Sequence, residues 1–441
     1  MKNKKLIKRL AIAFLSVVLL GVIVLLISRM IEAQGLAIDE TNFPDEVFRE
    51  YVREFDTNKG GYLSEEEIKA VREIKVVNRR DVKEISTLQG IEYFTELRLL
   101  ECDIQPLGTL DVSPFTMLEE LNCAKTGLSE LNVSQNPNLK ILECGNNELT
   151  ELDVSHNTGL EELYCWENNL TALDVSQNTQ LKVLSCGANP LEELDVSNNL
   201  SLTFLAIPES GMESIDVSKN TALVKLSCPG NDLTDLDISQ NEALQILYCN
   251  DNRLSQLDVS QNTELAAIWC QNNQLEELNL NNNTSLMELD CSGNQLSLLD
   301  LSNNTLLEDL DCGSNRLAFL DLSQNTEIQR LSIDDNRLEY IDLSMLSKID
   351  KKHIIMAGQT IDLGEIDGDG ILLGGSGPDM DFICVTYVKG ASYDSETGML
   401  TGYTQSPITY EYVAVDGNGK LWPMADVTLN FTIKSLDASD D

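Results

Sequence analysis

The chain has 441 residues, enough for two or three ordinary domains or for one extended array. It carries 31 Lys+Arg against 72 Asp+Glu, a net charge of −41, and only 5% of its residues are aromatic. So negative a surface repels phosphate and excludes direct nucleic-acid binding, and two histidines, His156 and His353, leave little scope for histidine-based catalysis.

Residues 1–9 are basic, and Ala11 to Ile27 is apolar apart from Ser16 and Gly21. Positive charge ahead of an apolar run holds the N-terminus in the cytoplasm and sends the downstream chain across the membrane. The run is longer than most signal-peptide cores and slightly short of the ~20 residues that span a bilayer comfortably. Ala33-Gln34-Gly35 offers a small-x-small cleavage site. Residues 1–35 therefore read either as a single-pass anchor or as a signal peptide. Both place the rest of the chain outside the cytoplasm, at the cell surface or secreted. Beyond residue 35 the balance deepens to −46, with 25 basic residues against 71 acidic ones.

Residues 36–95 read as a helical N-terminal cap. Apolar spacing predicts a helix from Glu46 to Phe55 with Pro44 suiting its first turn, and a second helix from about Glu65 to Glu73. Between them, Asp56 to Glu67 resembles the twelve-residue EF-hand calcium loop. That resemblance implies Asp56, Asn58, Ser64 and Glu67 as oxygen ligands, the carbonyl of Tyr62 as another, and the turn glycine at Gly61. Gly60 stands where a further side-chain ligand is usual, and Lys59 adds positive charge, so a weak Ca2+ site is expected. Capping of the repeats is a second use for the same segment, and the two are compatible.

From Cys102 onward, cysteines fall at 102, 123, 144, 165, 186, 228, 249, 270, 291 and 312. Every step is 21 residues except one of 42, whose midpoint is Ile207; one further step reaches Ile333. Twelve rungs in fixed register mean a solenoid. Each unit reads Leu-x-x-Leu-x-Cys-x-x-Asn-x and then Leu-x-x-Leu-Asp-Val-Ser-x-Asn, as from Leu139 to Asn157. Apolar residues alternate with polar ones over a short stretch, which predicts a strand, and the Asn after it suits a turn and a hydrogen-bonded ladder. A coil with leucines in both halves can bury them only against its neighbours. Strand spacing would make twelve rungs about 55–60 Å long.

The first half of this unit resembles a leucine-rich repeat, and the Leu-Asp-Val-Ser-x-Asn half resembles its short bacterial class, over about residues 96–345. The resemblance implies a mostly β repeat fold: a leucine-rich-repeat solenoid of about 12 coils with parallel strands. It also implies internalin-like adhesion or recognition through the concave sheet. Thr126 replaces Asn in one rung, and Ile207-Pro208 with Ser210 interrupts both columns in another, so a local irregularity near Pro208 is expected.

The cysteine column alternates with inward leucines and accepts Ile, which marks a buried apolar position. Ten thiols in an exported chain would ordinarily suggest disulfides. A parallel in-register stack aims them side by side, poorly for disulfide torsions, so reduced thiols packing as small hydrophobes are expected.

Residues 346–441 read as a small β-rich cap or module. Phe382 to Val388 reads as a strand, and Ile408 to Val415 with Val427 to Ile433 as a hairpin around Asp416-Gly-Asn-Gly419.

On the predicted concave sheet, the positions three before, one before and one after each Cys point outward. Tyr164, Trp166, Phe204, Ile246, Tyr248 and Trp269 occupy such positions and are the candidate binding residues for a protein or a glycan. Glu288, Asp290, Asp309 and Asp311 fill the same columns farther on and would repel one another unless neutralised. Non-enzymatic recognition is the leading expectation, with an acidic, calcium-rigidified spacer or a glycan-binding module as alternatives. No nucleophile–base pair or phosphate loop stands out.

Overall fold

The computed structural model describes residues 35–76, 84–338, 341, 343, 345–349, 354–366, 371–372, 385–394, 399–403, 406–415 and 421–433. Residues 1–34, expected to form the anchor or signal segment, lie outside these, as does the expected turn at 416–419. Among the described residues no helix is long and apolar enough to cross a membrane. The chain divides into two compact units, residues 1–170 and 171–441.

In the first unit the cap is built around Phe43, Phe48 and Phe94, all fully buried. Its helix spans Glu46–Val52 and continues as a 3-10 turn, Arg53–Phe55. Asp45 caps it, accepting from the N–H groups of Val47 (2.9 Å) and Phe48 (3.0 Å). The other oxygen of Asp45 takes the N–H and hydroxyl of Ser86, tying cap to coil. These contacts hold the carboxyl below its usual range against the opposing effect of burial.

The second helix is shorter than its spacing suggests, Glu65–Ala70. Val71 turns to extended backbone, and Glu73–Lys75 becomes a strand parallel to Leu99–Glu101. Burying Ile74 against the first coil overrides the local helical pattern. Strands Glu120–Asn122, Ile141–Glu143 and Glu162–Tyr164 come next, in register.

Each of these strands is only three residues long, with its middle residue buried, as for Leu142, and the Cys just after it also buried. The chain then leaves the sheet through a left-handed residue two after the Cys, as at Lys125 (φ 58°) and Glu167 (φ 50°). An Asn pins the turn. The amide of Asn147 donates to the carbonyls of Cys123 (3.0 Å) and Cys144 (2.9 Å), and its oxygen accepts from the N–H of Leu128 (3.0 Å).

The second unit repeats this coil. Its parallel strands are Val183–Ser185, Phe204–Ala206, Lys225–Ser227, Ile246–Tyr248, Ala267–Trp269, Glu288–Asp290, Asp309–Asp311, Arg330–Ser332 and Ile354–Ile355. The expected irregularity near Pro208 does not reach the sheet, because Phe204–Ala206 pairs in register on both sides and Ile207 fills the Cys position. The preceding coil makes room: a Cβ on Gly187 would fall 2.1 Å from the Pro208 ring.

The pattern also outlasts its visible period. Met356 takes the Cys position after a two-residue insertion, and Gln359 stands in for Asn, accepting from Leu338 N–H (3.0 Å) and donating to the Ile333 carbonyl (2.8 Å). All ten cysteines from Cys102 to Cys312 are buried thiols, none of them in a disulfide. Burial pushes the thiols of Cys144, Cys186, Cys228 and Cys270 up to about 12, which keeps them protonated and inert.

Beyond the coils, Gln359–Ile366 runs parallel to Leu421–Ile433, which forms the expected hairpin with Ile408–Val415. Val385–Lys389 completes a four-stranded sheet, and Ile371–Leu372, Met399–Thr401 and Ser392–Asp394 make a second, three-stranded one. Leu400, Ile408, Tyr410, Val427 and Leu429 form their shared core.

Candidate functional site

Strand alternation sends the first and third residue of every strand to one face while the second enters the core. On the second unit that face carries two columns. Phe204, Lys225, Ile246, Ala267, Glu288, Asp309 and Arg330 form one by register; Tyr248, Trp269, Asp290 and Asp311 belong to the other.

Four of the sequence candidates come together here. Tyr248 and Trp269 lie opposite each other on adjacent strands and their rings stack, 4.4 Å between centroids at 25°. Ala267 beside Trp269 is buried and small, so the indole stands clear, 39% exposed. Lys225, which the sequence did not single out, stands between Phe204 and Ile246. Its ammonium lies 5.2 Å from the Phe204 ring and 4.9 Å from the Tyr248 ring. The signal for it was its place in an outward column, 21 residues after Phe204 and 21 before Ile246.

In the first unit Tyr164 is half-buried and donates to Glu162 (2.9 Å). Burial and that carboxylate raise its phenol to about 12. Trp166 falls two residues beyond its strand and lies over Gly145, where a Cβ would meet the indole at 2.6 Å. Lys125 stands 5.8 Å from its ring centroid.

Past Trp269 the face turns acidic. Asp309 pairs with Arg330 of the next strand. Asp290 accepts from the N–H (3.1 Å) and hydroxyl (2.7 Å) of Ser292, and Asp311 from Gly313 N–H (3.0 Å). Burial, with Asp290 and Asp334 nearby, raises the Asp311 carboxyl. A cavity of about 390 Å³ opens here between Trp269 and Ile355. A larger depression, about 970 Å³, lies on the other half-coil around Leu298 and Arg316, with no aromatic among its walls.

The Asp56–Glu67 loop closes on its own hydrogen bonds. Asp56 accepts from Gly60 (3.1 Å) and Gly61 (2.8 Å) N–H groups. One oxygen of Glu67 takes Thr57 N–H and hydroxyl, and the other takes those of Ser64. These donors lower the Glu67 carboxyl to about 2. Ser64 and Glu67 complete a reciprocal cap on the helix Glu65–Ala70. The oxygen donors proposed from the sequence thus share one loop, with Glu67 engaged by protein donors. Among the described residues no three His, Cys, Asp or Glu side chains converge as a metal cage.

No family model and no curated protein matches the sequence. Among solved structures the chain is similar to the functional domain of InlJ from Listeria monocytogenes, which includes a cysteine ladder. Identity is 29% and the TM-score 0.71, over 90% of this chain and 98% of that one. It is also similar to the internalin InlF of L. monocytogenes (22%, TM-score 0.57, 74% and 92% covered). The Arabidopsis receptor kinase HAESA, solved with the peptide hormone IDA and the co-receptor SERK1, is similar too (21%, TM-score 0.56, 68% and 56% covered). With its 21-residue coils, its column of buried thiols and these neighbours, the chain is an internalin-like leucine-rich-repeat solenoid of the bacterial kind.

Proposed function

We propose that this is a non-enzymatic recognition protein of the cell exterior, displayed or secreted, that binds a protein ligand on the concave face of its second unit. The observation carrying the proposal is the stacked, solvent-facing Tyr248–Trp269 pair. A large aromatic left in water on a rigid sheet gains most by being covered, and tryptophan and tyrosine dominate interface hot spots. The fold is suited to such a role, since its HAESA neighbour holds a peptide hormone in the solved complex. A calcium ion at Asp56, Asn58, Tyr62, Ser64 and Glu67 is part of the same reading, as a brace for the cap. Its chemistry fits oxygen donors, and Glu67 would exchange Thr57 and Ser64 for the ion.

The test is binding of the full chain to protein and glycan arrays. Wild type should mark protein spots, and Trp269→Ala should lose them. The joint variant Asp195→Asn, Asp216→Asn and Asp237→Asn lies on the other half-coil and should retain them. Loss in the Asn variant alone moves the site off the concave face; signal confined to sugars makes the chain a glycan binder.

A further inference from the structure

We infer, resting on the concave-face reading, that the ligand is a basic extended segment whose Lys or Arg side chain enters the cleft between Trp269 and the carboxylates beyond it.

The order of groups along the face supports this. Phe204, Tyr248 and Trp269 put rings on three of the strands up to Ala267–Trp269, and carboxylates occupy the next two. Glu288, Asp290, Asp309 and Asp311 are four negative charges, and Arg330 answers one of them, at Asp309. Ser292 and Gly313 give Asp290 and Asp311 hydrogen bonds but no charge. The cleft is therefore short of positive charge within a chain of net −41.

Its walls select an organic cation over a metal ion. Trp269 forms one side, and Ile355, 56% exposed, stands at the other. An aliphatic stem can lie along such walls while its charged head reaches the acids. At about 390 Å³ the space falls within the ~300–1,000 Å³ typical of sites for small organic groups. The protein already supplies a precedent. The ammonium of Lys225 rests at 4.9 and 5.2 Å from two rings of the same platform, so cation–aromatic attraction operates on this face. From Lys225 to Asp311 is four strand steps, about 19 Å, which an extended segment of about six residues spans at ~3.3 Å each.

The experiment is fluorescence anisotropy of full-length protein with a labelled hexapeptide alternating arginine and leucine. A citrulline–leucine hexapeptide serves as the neutral isostere. The basic peptide should bind at least tenfold more tightly than the neutral one. Asp290→Asn with Asp311→Asn keeps the acceptor oxygens and so the local hydrogen bonds, and should weaken the basic peptide about tenfold. The Asp195, Asp216 and Asp237 to Asn variant removes more charge elsewhere and should shift it less than twofold. Equal weakening by both variants, or equal binding of both peptides, overturns the inference. Binding of the neutral peptide that depends on Trp269 but not on the acids would sink the basic ligand and leave the concave-face proposal standing. Basic-peptide binding that needs the acids and ignores Trp269→Ala would count against the aromatic platform and so against both.

Discussion

Asn252→Ala is the sharpest test of what holds one coil to the next. The Asn252 amide donates to the carbonyls of Cys228 (3.0 Å) and Cys249 (3.1 Å), and its oxygen accepts from Leu233 N–H (3.1 Å). Neither carbonyl is orphaned by the change, since Asn231 also serves Cys228 and Asn273 also serves Cys249. Each loses one of two donors, about 1 kcal/mol apiece. The Leu233 N–H loses its acceptor, which alone costs about 1–3 kcal/mol. Two natural coils show how far that loss is recovered. Where Thr126 and Ser210 stand in for Asn, the N–H groups of Leu107 and Leu191 turn to the carbonyls of Gln105 and Asn189, each at 2.8 Å. The Ala variant should therefore sit near the lower end, about 2–3 kcal/mol less stable. Asn252→Asp should cost more, because an anionic oxygen would replace the donor 3.0 Å from a carbonyl. Urea unfolding monitored by circular dichroism measures both. An Ala variant within about 0.5 kcal/mol of wild type, on the scale of a surface change, or an Asp variant more stable than Ala, would refute the ladder's role.

Leu142→Asp should destabilise by about 4 kcal/mol or more by placing an unpaired carboxylate between coils; a wild-type melting temperature would contradict the burial of that column. Thiols from Cys123 to Cys312 should resist alkylation until the protein unfolds, and mass spectrometry finding several disulfides along the column would overturn the packing account. Glu67 has its carboxyl lowered to about 2, so its capping contribution is present above the unfolded value near 4.5 and fades as pH falls toward 2. The helix Glu65–Ala70 should loosen in that window by hydrogen exchange, and Glu67→Gln should remove the pH dependence. Calorimetry with millimolar calcium should give a response that Glu67→Gln abolishes; identical traces leave the loop a cap alone. Ile104, a β-branched residue at φ 60°, should yield a variant more stable by about 1 kcal/mol on change to Gly.

Periodicity made the coils legible because each inward Leu and Cys answers to the same constraint 21 residues later. It missed the coils at the ends. There Val76 and Met356 fill the thiol position; Gln359 replaces Asn and reaches Ile333, and Gln105 of the first counted coil reaches back to Val76 with the same longer side chain. No repeat count finds a coil whose spacing has changed. The outward positions were legible from alternation, whereas Trp166 illustrates its limit: three-residue strands end before it, and it covers Gly145 beyond the sheet. Lys225 and Arg330 occupy the same outward columns 21 residues from Phe204 and Asp309, and went unnoticed because attention to aromatic rings and carboxylates passes over the cations between them.

The two-sided bonding of each Asn amide has a consequence for how such a chain can change over generations. Removing any 21 consecutive residues between Cys228 and Cys312 brings together an Asn and a preceding coil of the same kind, so the bonds at the new junction are those already in use. Unequal recombination between repeats can therefore lengthen or shorten the array in whole coils, each adding about 4.8 Å of face. The face columns, where Lys225, Trp269 and Asp290 differ from coil to coil, contribute no side chain to those bonds. Scaffold length and surface lettering are thus inherited separately, and a coil can be copied first and rewritten afterwards.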